Sequence, residues 1–98
     1  MEKRTPSFRL SVIKTMIEDG KVRSTVSALS GGTLLGLDFA GIINVVKVLT
    51  PLDFYKSMTS HADNQVWQDV YRPTTPVGMV YLKLMVNDDV LIVSFKGL

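Results

Sequence analysis

The spacing of hydrophobic residues changes once along the chain, near residue 50. Before that point apolar residues recur every three or four positions, which is typical of amphipathic helices, and after it they alternate with polar residues, which is typical of strands. The segments that link the predicted strands are short, which favours antiparallel pairing. The pattern therefore predicts an α+β fold, with N-terminal helices packed on a C-terminal antiparallel sheet.

The first helix is predicted to begin near Ser7 and to end at Asp19-Gly20, because glycine suits the left-handed position that follows a helix. Residues 21–24 are too few to show a period and are compatible with a small edge strand. The apolar stripe of the helix consists of Leu10, Ile13, Met16 and Ile17.

Two further helices are predicted before residue 50. Thr25 is expected to cap a brief helix that runs to Leu29 and is broken by Ser30-Gly31-Gly32. These glycines lack the spaced glycine and lysine of a phosphate-binding loop, so we interpret them as a turn. Asp38 is the expected cap of the third helix, which Thr50-Pro51 ends. Its apolar positions are Phe39, Ile42, Ile43, Val46 and Leu49.

Four strands are predicted in the second half: Phe54–Thr59, Val66–Arg72, Val77–Val86 and Val90–Lys96. In the last hairpin, a two-residue loop at Asp88-Asp89 places six apolar side chains on one face, whereas a slip by one residue would bury a lysine. The apolar pairs are Val86 with Leu91, Leu84 with Val93 and Leu82 with Phe95. On the opposite face this register pairs Tyr81 with Lys96 and Lys83 with Ser94.

The other two hairpins bring more polar residues onto that opposite face, although both loops admit other registers. Pairing Arg72 with Val77, across a loop at Pro73–Pro76, sets Gln68 opposite Tyr81. Pairing Thr59 with Gln65 sets Lys56 opposite Gln68. The predicted transverse row is Lys56, Gln68, Tyr81 and Lys96, with Arg72 two pairs further along. The apolar residues assigned to the same face by parity are Phe54, Met58, Val66, Val70, Met79 and Ile92.

This row has two interpretations. Long cationic side chains on a partly covered sheet reach water along their apolar stems, which is the ordinary case and the one that the pattern alone favours. Alternatively, the cations and the phenol line a concave site that acts on a phosphate. Trp67 and Tyr71 have the ring faces needed to stack bases, but their core-face parity favours packing.

Composition narrows the possible chemistry. With 98 residues, 46% of them hydrophobic and 20% charged, the chain is expected to form one domain, residues 1–98. There is no cysteine and one histidine, His61. This excludes a disulfide framework, a thiolate metal site, a cysteine nucleophile and a histidine pair. His61 lies in a polar loop away from the row, which favours a solvated residue over a catalytic one.

Charge and hydropathy bear on partners and location. The net charge is +2, with six basic and three acidic residues in 1–23 and five basic and six acidic residues in 24–98. A basic end attracts phosphate or an acidic partner, although solvated surface charge is the commoner explanation. No apolar run approaches the ~20 residues of a membrane-spanning helix, and the N-terminus does not have the form of a signal peptide. We therefore expect a cytoplasmic protein with no membrane contact.

Long segments of the chain resemble the motility quorum-sensing regulator (MqsR) toxin family. The likeness covers essentially the whole chain and departs from the family in the loops, at Ser60–Gln65 and Thr74–Pro76, and around Gly31-Gly32. The segments that carry it are Met1–Pro6, Gly36–Phe39, Asp53-Phe54-Tyr55-Lys56-Ser57-Met58-Thr59, Trp67-Gln68-Asp69-Val70-Tyr71-Arg72-Pro73 and Asp89–Lys96.

The resemblance implies a type II toxin with the RelE-like fold, a ribosome-independent endoribonuclease that cuts single-stranded mRNA at GCU-type triplets. The residues implicated in the family match Lys56, Gln68 and Tyr81, and the register adds Lys96 beside them and Arg72 as a substrate-binding residue. The implied partner is a dimeric antitoxin with a zinc-binding N-terminal domain and a helix-turn-helix C-terminal domain. Zinc and DNA contact would then belong to that partner, and this chain would need neither a metal nor a cofactor.

The residue types in the row suggest a metal-independent mechanism for RNA cleavage. Tyr81 or Lys56 would handle the proton of the 2′-hydroxyl, while Lys96 and Arg72 would hold the phosphate charge. Gln68 would position the phosphate or a base edge. The acid and the base stay unassigned at this point. The alternatives are a non-catalytic RNA- or protein-binding module that uses the same basic face, and a protein that binds DNA alone, which the lack of a convincing helix-turn-helix disfavours.

Overall fold

Three helices pack on one face of a seven-stranded sheet in the computed structural model, which describes all 98 residues and confirms the α+β fold. The helices are α1 (Leu10–Glu18), α2 (Val26–Leu34) and α3 (Phe39–Lys47). The strands are β1 (Glu2–Lys3), β2 (Val22–Ser24), β3 (Phe54–Thr59), β4 (Trp67–Tyr71), β5 (Thr74–Thr75), β6 (Gly78–Val86) and β7 (Val90–Gly97).

The strand order is β1-β3-β4-β6-β7-β2, with β5 paired to the start of β6. All neighbours are antiparallel except β2, which runs parallel to β7 at the edge. The four long strands and the edge strand at residues 22–24 are confirmed. The strands β1 and β5 were not predicted, because two residues are too short to show an alternating pattern.

Helix α1 begins at Leu10, three residues later than predicted. The backbone N–H groups of Ser7 and Phe8 donate to the buried Asp69 carboxylate at 3.0 Å, which holds this segment against β4 and outside the helix. The predicted end of the helix is confirmed, since Gly20 has a φ of 75° directly after it.

Helix α2 does not break at the glycines, so the prediction of a turn at Ser30-Gly31-Gly32 is wrong. Thr25 caps the helix as predicted, and its Oγ1 accepts a hydrogen bond from the Ala28 N–H at 3.0 Å. At Gly31 a side chain would overlap the carbonyl oxygen of Phe95 in β7. The glycine is therefore a point of close approach between helix and sheet rather than a chain reversal.

The core lies between the helices and one sheet face. Asp38 caps α3 as predicted, with its Oδ1 accepting from the Gly41 N–H at 2.8 Å. Tyr71 is buried in this core, as its parity indicated, and its ring meets Phe54 edge-on at 5.6 Å. Phe54 was assigned to the opposite face, and that assignment is wrong. The core residues are Ile13, Ile17, Ala28, Ile42, Val45, Val46, Leu49, Tyr71, Val80, Leu82, Leu84, Val90, Ile92 and Phe95.

The register of the last hairpin is confirmed only for the pairs far from the turn. Tyr81 pairs with Lys96 and Lys83 with Ser94, as predicted. A bulge then shifts the pairing by one residue, so the predicted pairs of Leu84 with Val93 and Val86 with Leu91 are wrong. The observed pairs are Leu84 with Ile92, Met85 with Leu91 and Val86 with Val90.

The bulge follows from a contact that local sequence does not reveal. The hydroxyl of Thr25 donates to the Val93 carbonyl at 2.8 Å, and its N–H donates to the Ile92 carbonyl at 3.0 Å. The cap of α2 thereby provides a partner for Val93, the extra residue of the bulge. Ile92 turns into the core, although parity had assigned it to the polar face.

The hairpin between β4 and β6 turns later than predicted. Its two-residue turn is Pro76-Val77, since Thr75 pairs with Gly78 and Gly78 has a φ of 102°. Tyr71 rather than Trp67 therefore lies opposite Leu82, a shift of four residues, and the predicted pairing of Gln68 with Tyr81 is wrong.

The hairpin between β3 and β4 has a longer loop than predicted. The side chains of Ser60 and Asp63 accept hydrogen bonds from N–H groups within the loop, which stabilises the longer connection. Lys56 consequently pairs with Val70 instead of Gln68, a shift of two residues.

No single helix of the chain is long and apolar enough to cross a membrane; α2 and α3 pass that test only as a pair, bent by 91°.

Candidate active site

The face of the sheet opposite the helices gathers basic and phenolic side chains. Both register shifts are even, two residues and four, so Lys56, Gln68, Arg72 and Tyr81 keep their predicted face although their cross-strand partners change. We call this surface the cationic face and define it by Lys56, Arg72, Tyr81, Lys83 and Lys96.

The centre of the cationic face is a row that crosses four strands. Lys56, Val70, Lys83 and Ser94 are successive cross-strand partners. Val70 is fully buried although it faces away from the helical layer, because its two cross-strand neighbours are the long side chains of Lys56 and Lys83. The lysine stems thus form the apolar floor of the face while their amines lie above it.

Tyr81 lies beside this row, between cations. Its ring centroid is 5.1 Å from the Lys96 amine and 5.9 Å from the Lys83 amine. The pairs Tyr71–Leu82 and Thr74–Met79 flank Arg72 and Tyr81, so these two residues lie opposite one another. The structure therefore brings Arg72 next to Tyr81, closer than predicted.

Tyr55 was not singled out from the sequence, yet it joins this face. A bulge in β3 at this position gives Tyr55 no cross-strand partner and turns it to the side of Lys56. The residue is 38% exposed, and its ring centroid lies 4.6 Å from the Arg72 guanidinium and 5.5 Å from the Lys56 amine. An alternating pattern assumes regular pairing, so it does not reveal this bulge or the position of Tyr55.

Gln68 is the predicted site residue that the structure does not bring together with the others. It lies on the same face but pairs with Met58, and it is four residues from Arg72, about 13 Å along the strand. The predicted transverse row of Lys56, Gln68, Tyr81 and Lys96 is therefore wrong. Gln68 lies at the edge of the cationic face, diagonal to Lys56.

Lys56 has a carboxylate partner that the sequence did not indicate. Its amine donates to Glu2 Oε2 at 2.9 Å, because the unpredicted strand β1 lies alongside β3. The hydrogen bond to Glu2 raises the pKa of Lys56, and the same bond lowers the pKa of Glu2. Both directions favour a protonated Lys56 at neutral pH.

Lys83 has the opposite environment. Its side chain is half-buried in the centre of the face, and it forms neither a hydrogen bond nor an ion pair with another residue. Burial, followed by the charges of Lys96 and Lys56, lowers the pKa of Lys83. Two lysines of one row thus differ in their readiness to carry a proton.

Replacing Glu2 with glutamine is expected to lower the pKa of Lys56, since the charged hydrogen bond that raises it is lost. In the parent chain the Glu2–Lys56 pair stabilises the fold only between two limits of pH. Its contribution is lost at acidic pH, where Glu2 becomes protonated, and at alkaline pH as Lys56 loses its proton. NMR titration of the lysine amines measures the shift, with Glu18→Gln, beside Lys47, as the control. An unchanged Lys56 titration in Glu2→Gln would contradict the assignment.

The remaining candidate residues lie away from the face. His61 is exposed in the loop between β3 and β4. Trp67 packs under the amine of Lys3, 4.3 Å from its ring centroid. No group of three or more histidine, aspartate and glutamate side chains is placed to hold a metal. The surface cavities lie elsewhere too, so the cationic face is an open surface rather than a concave pocket.

A layer of helices on one side of an antiparallel sheet, with lysines, an arginine and tyrosines on the bare side, is consistent with a RelE-like toxin. The model of the family described as "Motility quorum-sensing regulator, toxin of MqsA" matches residues 5–97. The mRNA interferase toxin MqsR of Escherichia coli (strain K12) is 57% identical over 96 residues, 98% of either chain. The chain belongs to the MqsR toxin family.

Proposed function

We propose that this chain cuts single-stranded mRNA at GCU-type triplets without the ribosome, and so inhibits translation and growth. It is a toxin endoribonuclease of the MqsR family, related over nearly its full length to an mRNA interferase. The observation that carries the finer proposal is the cationic face, where Lys83, Lys96 and Arg72 adjoin Tyr81 and the one carboxylate contact is that of Lys56 with Glu2.

RNA cleavage of this kind is an internal transesterification. The 2′-hydroxyl loses a proton, its oxygen attacks the adjacent phosphorus, and the 5′-oxygen leaves with a proton. The protein must therefore supply a proton acceptor, a proton donor and cations for the charge that develops on the phosphorane. Side chains of this sheet face are proposed to supply the donor and the cations without a metal, while the proton acceptor is not assigned by these residues.

Lys56 is proposed as the proton donor to the leaving 5′-oxygen. Glu2 keeps its amine protonated, which suits a donor and disfavours the role of base. This narrows the choice between Lys56 and Tyr81, which the sequence left open. The Tyr81 hydroxyl is proposed to hydrogen-bond the attacking 2′-hydroxyl and to fix its direction toward phosphorus.

Lys96 and Arg72 are proposed to hold the phosphorane oxygens from either side of Tyr81. Gln68, further along β4, is proposed to contact a base edge or the phosphate of a neighbouring nucleotide rather than the reacting one. An extended RNA strand crossing the face would reach both positions, since they lie on one strand of the sheet.

The test is cleavage of a single-stranded RNA that contains one GCU triplet, with and without excess EDTA. We expect equal cleavage in both, and a loss of at least tenfold in Tyr81→Phe, because the hydroxyl is removed while the ring stays in place. Sequencing of the cut ends reports the preferred triplet.

Two outcomes would overturn parts of this proposal. Loss of cleavage on chelation in a purified sample would reject the metal-independent mechanism. RNA binding without any cleavage by the parent chain would instead favour a non-catalytic RNA-binding module.

A toxin of this family has an antitoxin as its partner. We propose that the partner is a dimer with a zinc-binding N-terminal domain and a helix-turn-helix C-terminal domain, and that DNA is contacted only through the complex. Because mRNA is the substrate, the proposed location is the cytoplasm. A neighbouring reading frame of roughly 130 residues with paired CxxC motifs would support this partner.

A further inference from the structure

Lys83 occupies the middle of the cationic face, where the central row of side chains crosses strand β6. It shares the central row with Lys56, and it stands two residues from Tyr81 on the same strand. Its amine is 5.9 Å from the centroid of the Tyr81 ring, and the Lys96 amine is 5.1 Å from the same centroid. A phosphate or ribose placed over Tyr81 is therefore within reach of Lys83.

Among the three lysines of the cationic face, Lys83 alone is both partly buried and without a partner. Lys56 is paired with Glu2, and Lys96 is exposed to solvent. The side chain of Lys83 is half-buried, and its amine has no acceptor in the protein and faces other cations. An amine in such a position is stabilised either by a bound anion or by loss of its own proton.

We propose that Lys83 is a further catalytic residue of this endoribonuclease, namely the group that accepts the proton of the attacking 2′-hydroxyl. The inference rests on the RNA cleavage proposed above and assigns its missing base. It completes a division of labour in which Tyr81 orients the hydroxyl, Lys83 takes its proton and Lys56 gives a proton to the leaving group.

The step balances without a co-reactant. The proton of the 2′-hydroxyl moves to the neutral amine of Lys83 as the bond from the 2′-oxygen to phosphorus forms. The bond from phosphorus to the 5′-oxygen breaks, and that oxygen takes a proton from the Lys56 ammonium. The products are a 2′,3′-cyclic phosphate and a 5′-hydroxyl, and exchange with water restores both lysines.

The surroundings of Lys83 support this choice of base. The charged or titratable groups on the face around it are Lys56 from β3, Arg72 directly after β4, Tyr81 from β6 and Lys96 from β7, while its direct partner on β4 is the apolar Val70. Burial and the two neighbouring ammonium groups lower the pKa of Lys83, whereas the pKa of Lys56 is raised. Acid and base are thereby separated on one row of side chains.

The test compares Lys83→Arg with Lys83→Met in cleavage of the GCU-containing RNA. Arginine keeps the positive charge but does not release its proton in proteins. If Lys83 is the base, both variants lose roughly 10²-fold or more in kcat. Binding of an RNA with a 2′-deoxy residue at the cleavage site should stay within about threefold of the parent, while Lys21→Met, on an exposed lysine, should cleave normally.

A chemical rescue removes the remaining ambiguity, because the chain contains no cysteine. Lys83→Cys gives a single thiol, and alkylation with 2-bromoethylamine restores an amine of nearly the same length and a lower pKa. We expect the alkylated variant to recover cleavage. The acidic limb of its pH profile of kcat should move to lower pH, because the restored amine has a lower pKa than lysine.

Near-normal cleavage by Lys83→Arg would overturn the proposal, since charge alone would then suffice. The same conclusion follows if alkylation leaves Lys83→Cys inactive while its circular dichroism spectrum matches the parent. Failure of the proposed function itself looks different, because the parent chain would then leave the RNA intact.

Discussion

Gly31→Ala is expected to lower the free energy of unfolding by more than about 3 kcal/mol, although helix propensity alone predicts a gain of about 1 kcal/mol. The added methyl group would overlap the Phe95 carbonyl oxygen and approach its carbon to 2.9 Å. Both are backbone atoms of β7, so no side-chain rotation relieves the overlap. Helix α2 must move away from the sheet, which opens the core around Ala28.

Chemical denaturation followed by circular dichroism measures this effect, and Ser30→Ala is the matched control. Ser30 is exposed on the neighbouring position of the same helix, so its substitution tests propensity without the close approach. We expect Ser30→Ala to change stability by no more than about 0.5 kcal/mol. A Gly31→Ala protein as stable as the parent would contradict the close approach between Gly31 and β7 as the reason for the glycine.

The glycine pair shows what a single sequence does and does not determine. Ser30-Gly31-Gly32 has the composition of a turn, and nothing nearby distinguishes that from a helix pressed against a strand. The deciding atom belongs to Phe95, more than sixty residues away. By contrast the caps at Thr25 and Asp38 are local hydrogen bonds, so local sequence predicted them correctly.

The candidate site was predicted by face but not by neighbour, for a related reason. Alternation along a strand determines which side of the sheet a residue occupies, and both hairpin shifts were even, so Lys56, Gln68 and Tyr81 kept their face. Register depends instead on where each hairpin turns, and the β4–β6 hairpin turns at Pro76-Val77 rather than across the predicted Pro73–Pro76 loop.

Two residues of the candidate site could not be predicted from strand parity, because one depends on a bulge and the other on the N-terminal strand. Tyr55 reaches the face through a bulge, and Glu2 through a two-residue strand. Lys83 was placed on this face by the correct half of the hairpin register, but its role depends on neighbours that the sequence had misplaced. The observed register thus changes the roles proposed for the residues more than it changes which residues lie on the face.

Arg72→Met is expected to lower kcat/KM for RNA cleavage by roughly 10²–10³-fold, the usual cost of losing one donor to a developing oxyanion. The Nε atom of Arg72 is buried without a hydrogen-bond partner, while its guanidinium lies 4.6 Å from the Tyr55 ring. An unpaired buried donor destabilises the free protein by about 1–3 kcal/mol, and a phosphate oxygen would relieve that cost. In the proposed mechanism, the guanidinium would gain its missing partner when the substrate binds.

The same substitution should leave the free protein as stable as the parent or more stable by about 1 kcal/mol, because methionine retains the apolar stem and removes the unpaired donor. Arg72→Lys should recover little activity, since an ammonium lacks the planar pair of donors that arginine offers to a phosphate. Arg9→Met, on an exposed arginine outside the face, is the control for charge. Kinetics and denaturation on the same samples decide the matter: a variant that loses stability and activity together would make Arg72 a packing residue.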